Sequence, residues 1–268
     1  MNQVNGLHPL VRGMTLVACI LLALPILVVL IVSLNNDSYI NFPPDTFSLR
    51  WYRSFFGDSR WRDALYTSLA IGLMTCLVST SIGFLGAYAF LRSRYKAKKL
   101  LLSLVLLPLI VPHIITAIAL YFVSAPLGLI GSRPWISIAH SVIALPVVVL
   151  ILISALQNVD ESVERAAFSL GANRLTTFRR IVIPLALPGV ISAALFSFLT
   201  SFDELIIALF LAGLSSETLQ VRIWNSLIME AEPIIAAVSA FLIMATIGVL
   251  VIEAGVRHTM GKRNTKLP

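Results

Sequence analysis

The chain has 268 residues, 58% of them hydrophobic and only 12% charged, with a formal net charge of +7. A soluble domain is roughly half apolar and about one quarter charged, so a water-soluble fold is excluded and a polytopic membrane protein follows. The positive balance is no argument for a nucleic-acid partner, and none is expected, because membrane proteins collect Lys and Arg in their cytoplasmic loops.

In chain order, the uncharged run after Arg12 has no small-residue cleavage site behind it and predicts an uncleaved first span at 14–34. A second span is predicted at 64–91. The uncharged stretch Leu100–Ser132 is too long for one simple span, so the third is placed at 100–125, with PLGLIGS as a turn after it. Spans at 135–156, 182–211 and 234–252 complete six, each near the length of about 20 apolar residues that a bilayer requires. The expected fold class is therefore all-α, a single transmembrane domain over residues 1–268. Pro25, Pro108, Pro112, Pro146, Pro184 and Pro188 fall within or beside these spans, where each removes a backbone donor and favours a kink. Cys19 and Cys76 lie in apolar runs and read as small packing residues, with no disulfide framework or metal site. No internal repeat is visible, which argues against transporter folds built from duplicated halves.

The basic residues orient the spans. With a cytoplasmic N-terminus, the inner segments carry Arg12, then Arg92, Arg94, Lys96, Lys98 and Lys99, then Arg165, Arg174, Arg179 and Arg180, and finally Arg257, Lys262, Arg263 and Lys266. The outer segments keep only Arg50, Arg53, Arg60, Arg62, Arg133 and Arg222. This positive-inside bias places both termini in the cytoplasm.

Catalytic signatures are missing. There is no HExxH or GxSxG motif, and the histidines His8, His113, His140 and His258 are scattered. His113 and His140 lie within predicted spans and read as neutral side chains hydrogen-bonded in the bundle, with a functional role as the alternative. The segment GVRHTMGKR places one residue too many between its glycines for a phosphate-binding loop and has Arg263 where Ser or Thr would hold magnesium. ATP, if used, must be bound by another chain.

One polar segment separates the fourth and fifth spans: ERAAFSLGANRLTTFRRIVIP, residues 164–184, within a loop of about 160–184. Asp160 can cap a helix whose first turn carries Glu161 and Glu164, where the helix dipole favours negative charge. Gly171 stands where a chain turns with positive φ, and Leu175, Phe178 and Val182 then recur at helical spacing. An interfacial helix with its basic face toward anionic lipid would explain Arg179 and Arg180. It does not explain the acidic start, the paired alanines or the glycine break, which suit close packing against a protein surface.

The segment resembles the EAA loop of ABC-importer permease subunits. Ala166, Ala167 and Gly171 match the loop's alanines and glycine, and Ile181, Ile183 and Pro184 its end, with Ile183 in place of Leu. Arg165 stands at the glutamate position and Glu164 one residue earlier, a shift of about 100° around a helix. LPLIVPHIITAIALYF (107–122) and SFLTSFDELIIALFLAG (197–213) resemble permeases of the polyamine, opine and aminoalkylphosphonate branch.

The resemblance implies a type I importer fold and a non-catalytic permease subunit in the bacterial cytoplasmic (inner) membrane. It further implies a second permease subunit, favoured to be a distinct homologue, a cytoplasmic ATPase dimer that binds the ATP and magnesium, and an extracytoplasmic solute-binding protein. No cofactor is expected on this chain. Glu164, Arg165, Ala166, Ala167, Gly171, Ala172, Ile181 and Pro184 would form the ATPase-coupling element. The implied cargo is a small cationic solute such as a polyamine, with an opine, an aminoalkylphosphonate or another small organic solute as the alternative. A secondary transporter would leave 164–184 without a purpose.

Asp203 and Glu204 interrupt an otherwise uncharged run in the fifth span. A carboxylate at mid-bilayer costs about 2.5–3.5 kcal/mol on insertion scales, so it should face the bundle interior or water. Adjacent helical positions diverge by about 100°, so one of the two is expected to line a cation pathway. The other would pair with a neighbouring helix or sit near the outer water. An interhelical bond that holds the bundle is the alternative. The outer acids Glu217, Glu230 and Glu232 read as solvated charges, or as contacts for a binding protein.

Overall fold

The computed structural model describes residues 9–93, 96–229 and 232–264. His8, Arg94, Glu230 and Lys266 lie outside them. The described chain is all-α, its only β-pairing being an isolated bridge between Asn35 and Phe47. Five helices are long and apolar enough to cross a membrane, and a bent helix pair raises this to six if it counts as one span. Water is absent from the bilayer core, so each spanning segment must satisfy its peptide groups internally, which the helix does.

Four helices overlay expected spans: α1 (Pro9–Val32), α3 (Ser59–Arg92), α6 (Arg133–Gln157) and α12 (Ile234–Asn264). The short helices α2 (Arg50–Gly57) and α11 (Leu219–Met229) lie between spans and carry no distinctive sequence signal.

The two remaining spans depart from the continuous helices expected. The third, expected at 100–125, is α4 (Lys98–Leu106), a 3₁₀ turn at Leu107–Leu109 and α5 (His113–Ser124), with a bend of 99°. Pro112 holds ψ at 134 and cannot donate to the helix ahead of it, while its ring disfavours helical backbone at Val111. The fifth, expected at 182–211, runs unbroken only to Phe202. It enters through α8 (Arg174–Thr177) and a π turn at Phe178–Val182, continues as α9 (Ile183–Phe202), stops, and restarts as α10 (Ile206–Leu211). Pro184 lacks an N–H and crowds the preceding turn, and the wider π turn sits immediately before it.

Two compact units make up the chain. The first comprises the residues up to Arg62 together with Ile223–Ile247. There Phe55 is fully buried and its ring meets Phe56, Phe241 and Trp61 at centroid distances of 4.7, 5.5 and 6.1 Å. Ser33 Oγ and Tyr52 Oη, 2.8 Å apart, fasten α2 to the end of α1.

The second unit spans Asp63–Arg222 and the residues from Gly248. In it α3, α6 and α9 pack around Phe84, Val148, Leu152, Leu156, Ala186 and Ala193. A methyl group on Gly83 would come within 2.7 Å of Val148 Cγ1, and one on Gly189 would run into the Ala155 methyl. Small residues let apolar helices approach where dispersion rather than water drives association. A polar chain crosses the same three helices. Thr75 Oγ1 donates to the Ser137 carbonyl (3.2 Å), Ser201 Oγ donates to Thr75 Oγ1 (3.1 Å), and His140 Nδ1 lies 2.8 Å from Ser201 Oγ. His140 is thus hydrogen-bonded within the bundle, as expected.

Overpacking a tight helix contact costs about 1–3 kcal/mol. Gly189→Val is expected to lower the thermal midpoint of the detergent-solubilised protein by several degrees. Gly248→Ala, where an added Cβ meets nothing within 4 Å, should leave it unchanged.

Candidate functional site

The polar loop is built as two short helices with a glycine hinge. Asp160 is the N-cap of α7 (Glu161–Ser169), its side chain accepting the Ser162 N–H at 2.8 Å. That bond holds the Asp160 carboxyl below its ordinary pKa, so the cap's contribution is fully present above the usual carboxylate range and is lost as pH falls through the lowered value. At the other end Gly171 has φ +85. The Gly171 N–H donates to Phe168 O and the Ala172 N–H to Ala167 O, the paired bonds of a Schellman stop. The Asn173 side chain then accepts the Thr176 N–H at 2.8 Å and starts α8.

One buried ion pair ties this loop to the bundle. Glu164 is only 5% exposed. Its carboxylate accepts from Arg92 Nε at 2.8 Å and from Tyr88 Oη at 3.0 Å, while Arg92 Nη2 stands 2.7 Å from Oε1. Arg92, the last residue of α3, also donates to Glu161 at 3.1 Å and to the Val159 carbonyl at 3.0 Å. Arg165, the next residue after Glu164, points away and is exposed, with only a 3.4 Å contact to Glu161. The 100° offset anticipated from the sequence is therefore realised: the carboxylate turns toward α3 and the guanidinium toward solvent. Ala167 is buried beside Glu164, whereas Ala166, Phe168 and Leu170 are exposed. Ala172 and Ile181 are half-buried and Pro184 is exposed.

The second group of site residues lies at the far end of α9, about 30 Å from the loop for a twenty-residue helix. There Asp203 and Glu204 separate. Asp203 caps the end of α9 and is exposed, accepting from Gln220 Nε2 at 3.2 Å. Glu204 is 7% exposed and turns inward. Its Oε1 accepts the Ile207 N–H at 3.0 Å at the start of α10, and Oε2 lies 3.4 Å from His113 Nδ1. His113 opens α5, so this contact joins the break in the third span to the break in the fifth. Ile207 and Leu211 of α10 then pack with Ala117, Ile136 and Ile143.

Several contributors carried no motif. Arg92 counted only as a topological charge, Tyr88 as one aromatic in a span, and Gln220 as an unremarked polar residue. The place of Arg92 as the first cation after a long apolar run is the one signal that could have marked it as a partner for a loop acid. Among the described residues no cluster of three or more potential metal ligands occurs.

A helical bundle with broken spans and a polar, glycine-hinged loop tied to a helix end is the architecture of a polytopic membrane protein with one specialised loop. Residues 79–259 match the family described as "Binding-protein-dependent transport system inner membrane component", and the chain belongs to that family as a non-catalytic, multi-pass inner-membrane permease subunit. It is 29% identical over 87% of its length to the spermidine/putrescine transport system permease protein PotC of Haemophilus influenzae, covering 90% of that protein. The putrescine transport system permease protein PotI of Escherichia coli strain K12 is 29% identical over 84% of this chain and 82% of its own. The trehalose transport system permease protein SugB of Mycobacterium tuberculosis is 30% identical over 71% of this chain and 70% of its own. The fold is similar to a chain of a bacterial ABC transporter involved in the import of the acidic polysaccharide alginate. That match has a TM-score of 0.71 at 16% identity and covers 96% of this chain and 98% of that one.

Removing one partner of a buried ion pair costs about 3–5 kcal/mol, because the other charge is left unpaired. Arg92→Gln and Glu164→Gln are each expected to speed amide hydrogen exchange across residues 160–172. The double variant should recover part of that protection, and strictly additive losses would show that the two side chains do not act as a pair.

Proposed function

We propose that this permease forms, with a second and distinct permease subunit, the translocation pathway of an ABC importer for a small cationic solute of the polyamine class. Both termini face the cytoplasm, a placement supported by the distribution of basic residues. A cytoplasmic ATPase dimer supplies the energy and binds the ATP and magnesium, and an extracytoplasmic binding protein delivers the solute.

The observation that carries the coupling part is the geometry of α7. Leu170 is 89% exposed beside the Gly171 turn, with Phe168 also outward, while the Arg92–Glu164 pair fastens the opposite face to α3. An apolar tip outside the bilayer, rigid at its base, suits insertion into a groove of a partner that moves. The ATPase receives Ala166, Phe168, Leu170 and Gly171, with Arg165 as an outward cation at its edge. Glu164, Ala167, Ala172, Ile181 and Pro184 hold the tip in position.

The substrate class is supported by the spermidine/putrescine and putrescine permeases among the relatives and by the unequal roles of the two acids. Asp203 is the carboxylate available to a passing cation. Glu204 is committed to the Ile207 N–H and to His113, and its role is to hold the two broken spans together.

Two outcomes test this reading in vesicles reconstituted with the partner subunits. A Cβ on Gly171 meets no atom within 4 Å, so Gly171→Val acts only through the left-handed backbone, at about 1–2 kcal/mol. It should uncouple ATP hydrolysis from uptake while the circular dichroism of the bundle is retained. Asp203→Asn should raise the KM for a polyamine roughly tenfold without changing the thermal midpoint. Equal losses for cationic and neutral solutes would assign Asp203 to the scaffold, and a purified complex without an ATPase would overturn the coupling role.

A further inference from the structure

Beside α7 lies a groove of about 720 Å³ whose walls include Arg92 and Arg174, together with Arg165 and Phe168, which it shares with the face proposed for the ATPase. Its acids, Glu161 and Glu164, are both engaged by Arg92, and Glu161 also by Arg165. The Arg174 guanidinium has no acidic partner among the described residues, and Arg179 and Arg180 follow it in exposed positions. The mouth of the groove is therefore an uncompensated cationic site.

Leu85 and Phe178 line this groove and also a second cavity of about 320 Å³. The Phe178 ring is fixed edge-on against Tyr88 and Phe84, at centroid distances of 5.1 and 5.5 Å. Beyond it the walls are mainly apolar, with Phe84, Ile183 and Val190 beside Thr80 and Ser81 of α3. The groove lies between α3, α7 and the entry to α9, and the slot between α3 and the entry to α9, two segments long and apolar enough to span the bilayer. Leu73, Leu77 and Leu85 of α3 are more than half exposed at four- and eight-residue spacing, a stripe that leads along the helix into the apolar slot.

We propose that this pair of cavities is a binding site for an anionic phospholipid, with the headgroup phosphate against Arg174 and one acyl chain along Phe178, Ile183 and Val190. A basic mouth at the membrane surface that opens into an apolar slot at bilayer depth matches an amphiphile of that charge. A soluble anion would leave the slot empty, and a zwitterionic lipid would bring a headgroup cation up against Arg92, Arg165 and Arg174 along with its phosphate. Because the groove shares Arg92, Glu161 and Glu164 with the loop, bound lipid would brace the base of α7. The inference stands apart from the identity of the cargo.

The test uses the full chain in phosphatidylcholine vesicles with trace spin-labelled phosphatidylglycerol or phosphatidylcholine, reading the motionally restricted fraction by electron paramagnetic resonance. One basic residue near an anionic surface contributes about 1 kcal/mol, which corresponds to roughly fivefold preference for phosphatidylglycerol. Arg174→Gln should abolish that preference, and Arg174→Lys should keep most of it. Ser81→Trp, which fills the slot, should lower the restricted fraction with unchanged circular dichroism. Equal restriction of the two lipids, or a preference untouched by Arg174→Gln and Ser81→Trp, overturns the proposal. So does a preference that disappears when the partner subunits are added, which would assign the groove to a protein interface.

Discussion

A peptide group in hydrocarbon has no water to fall back on, and this constraint shapes every departure of the chain from plain spanning helices. Where α9 stops at Phe202, the freed N–H of Ile207 is taken by the Glu204 carboxylate. Where Pro112 breaks the third span, the new helix begins at His113, whose ring reaches the same carboxylate. One side chain thus caps the restart of the fifth span and contacts the residue that opens the helix after the break in the third. The arrangement keeps Glu204 inside the second unit and leaves Asp203 at the surface, although the two are neighbours in the chain.

The same economy of polar contacts appears at the opposite end of α9. Arg92 terminates α3 and gathers Glu164, Glu161 and the Val159 carbonyl, so a charge at a helix end organises a whole polar loop. A buried pair of this kind is weak as a source of net stability, since desolvation offsets much of the attraction. Its value lies in register: the rotation of α7 that carries Glu164 to Arg92 also brings it to Tyr88. That rotation sends Arg165, Phe168 and Leu170 outward and makes the exposed face of the loop apolar and basic.

Much of this was legible from residue order. Apolar length marked the spans, Asp160 and Gly171 marked the ends of α7, and the alanine pair with the hinge pointed to a permease family that the chain indeed belongs to. These features are local: helix length, an N-cap and a positive φ each depend on a few consecutive residues. The bend at Pro112 was foreshadowed by the proline, but its size of 99° was not, because a proline removes a hydrogen bond without dictating where the next helix packs. The break after Phe202 had no proline or glycine to announce it. It was visible only as two acids in an apolar run, which one continuous helix accommodates equally well on paper.

Composition, periodicity and punctuation therefore determined that the protein is an all-helical membrane protein with one specialised polar loop, since those properties follow from short-range sterics and from transfer between water and lipid, and the resemblance of that loop pointed to the permease family. Tertiary structure alone decided which side chains meet. It joined Glu164 to Arg92 across 72 residues and His113 to Glu204, and it gave Asp203 and Glu204 different surroundings. Such pairings depend on where separate helices come to rest, and that is settled by packing of small residues such as Gly83 and Gly189 rather than by any pattern within one segment.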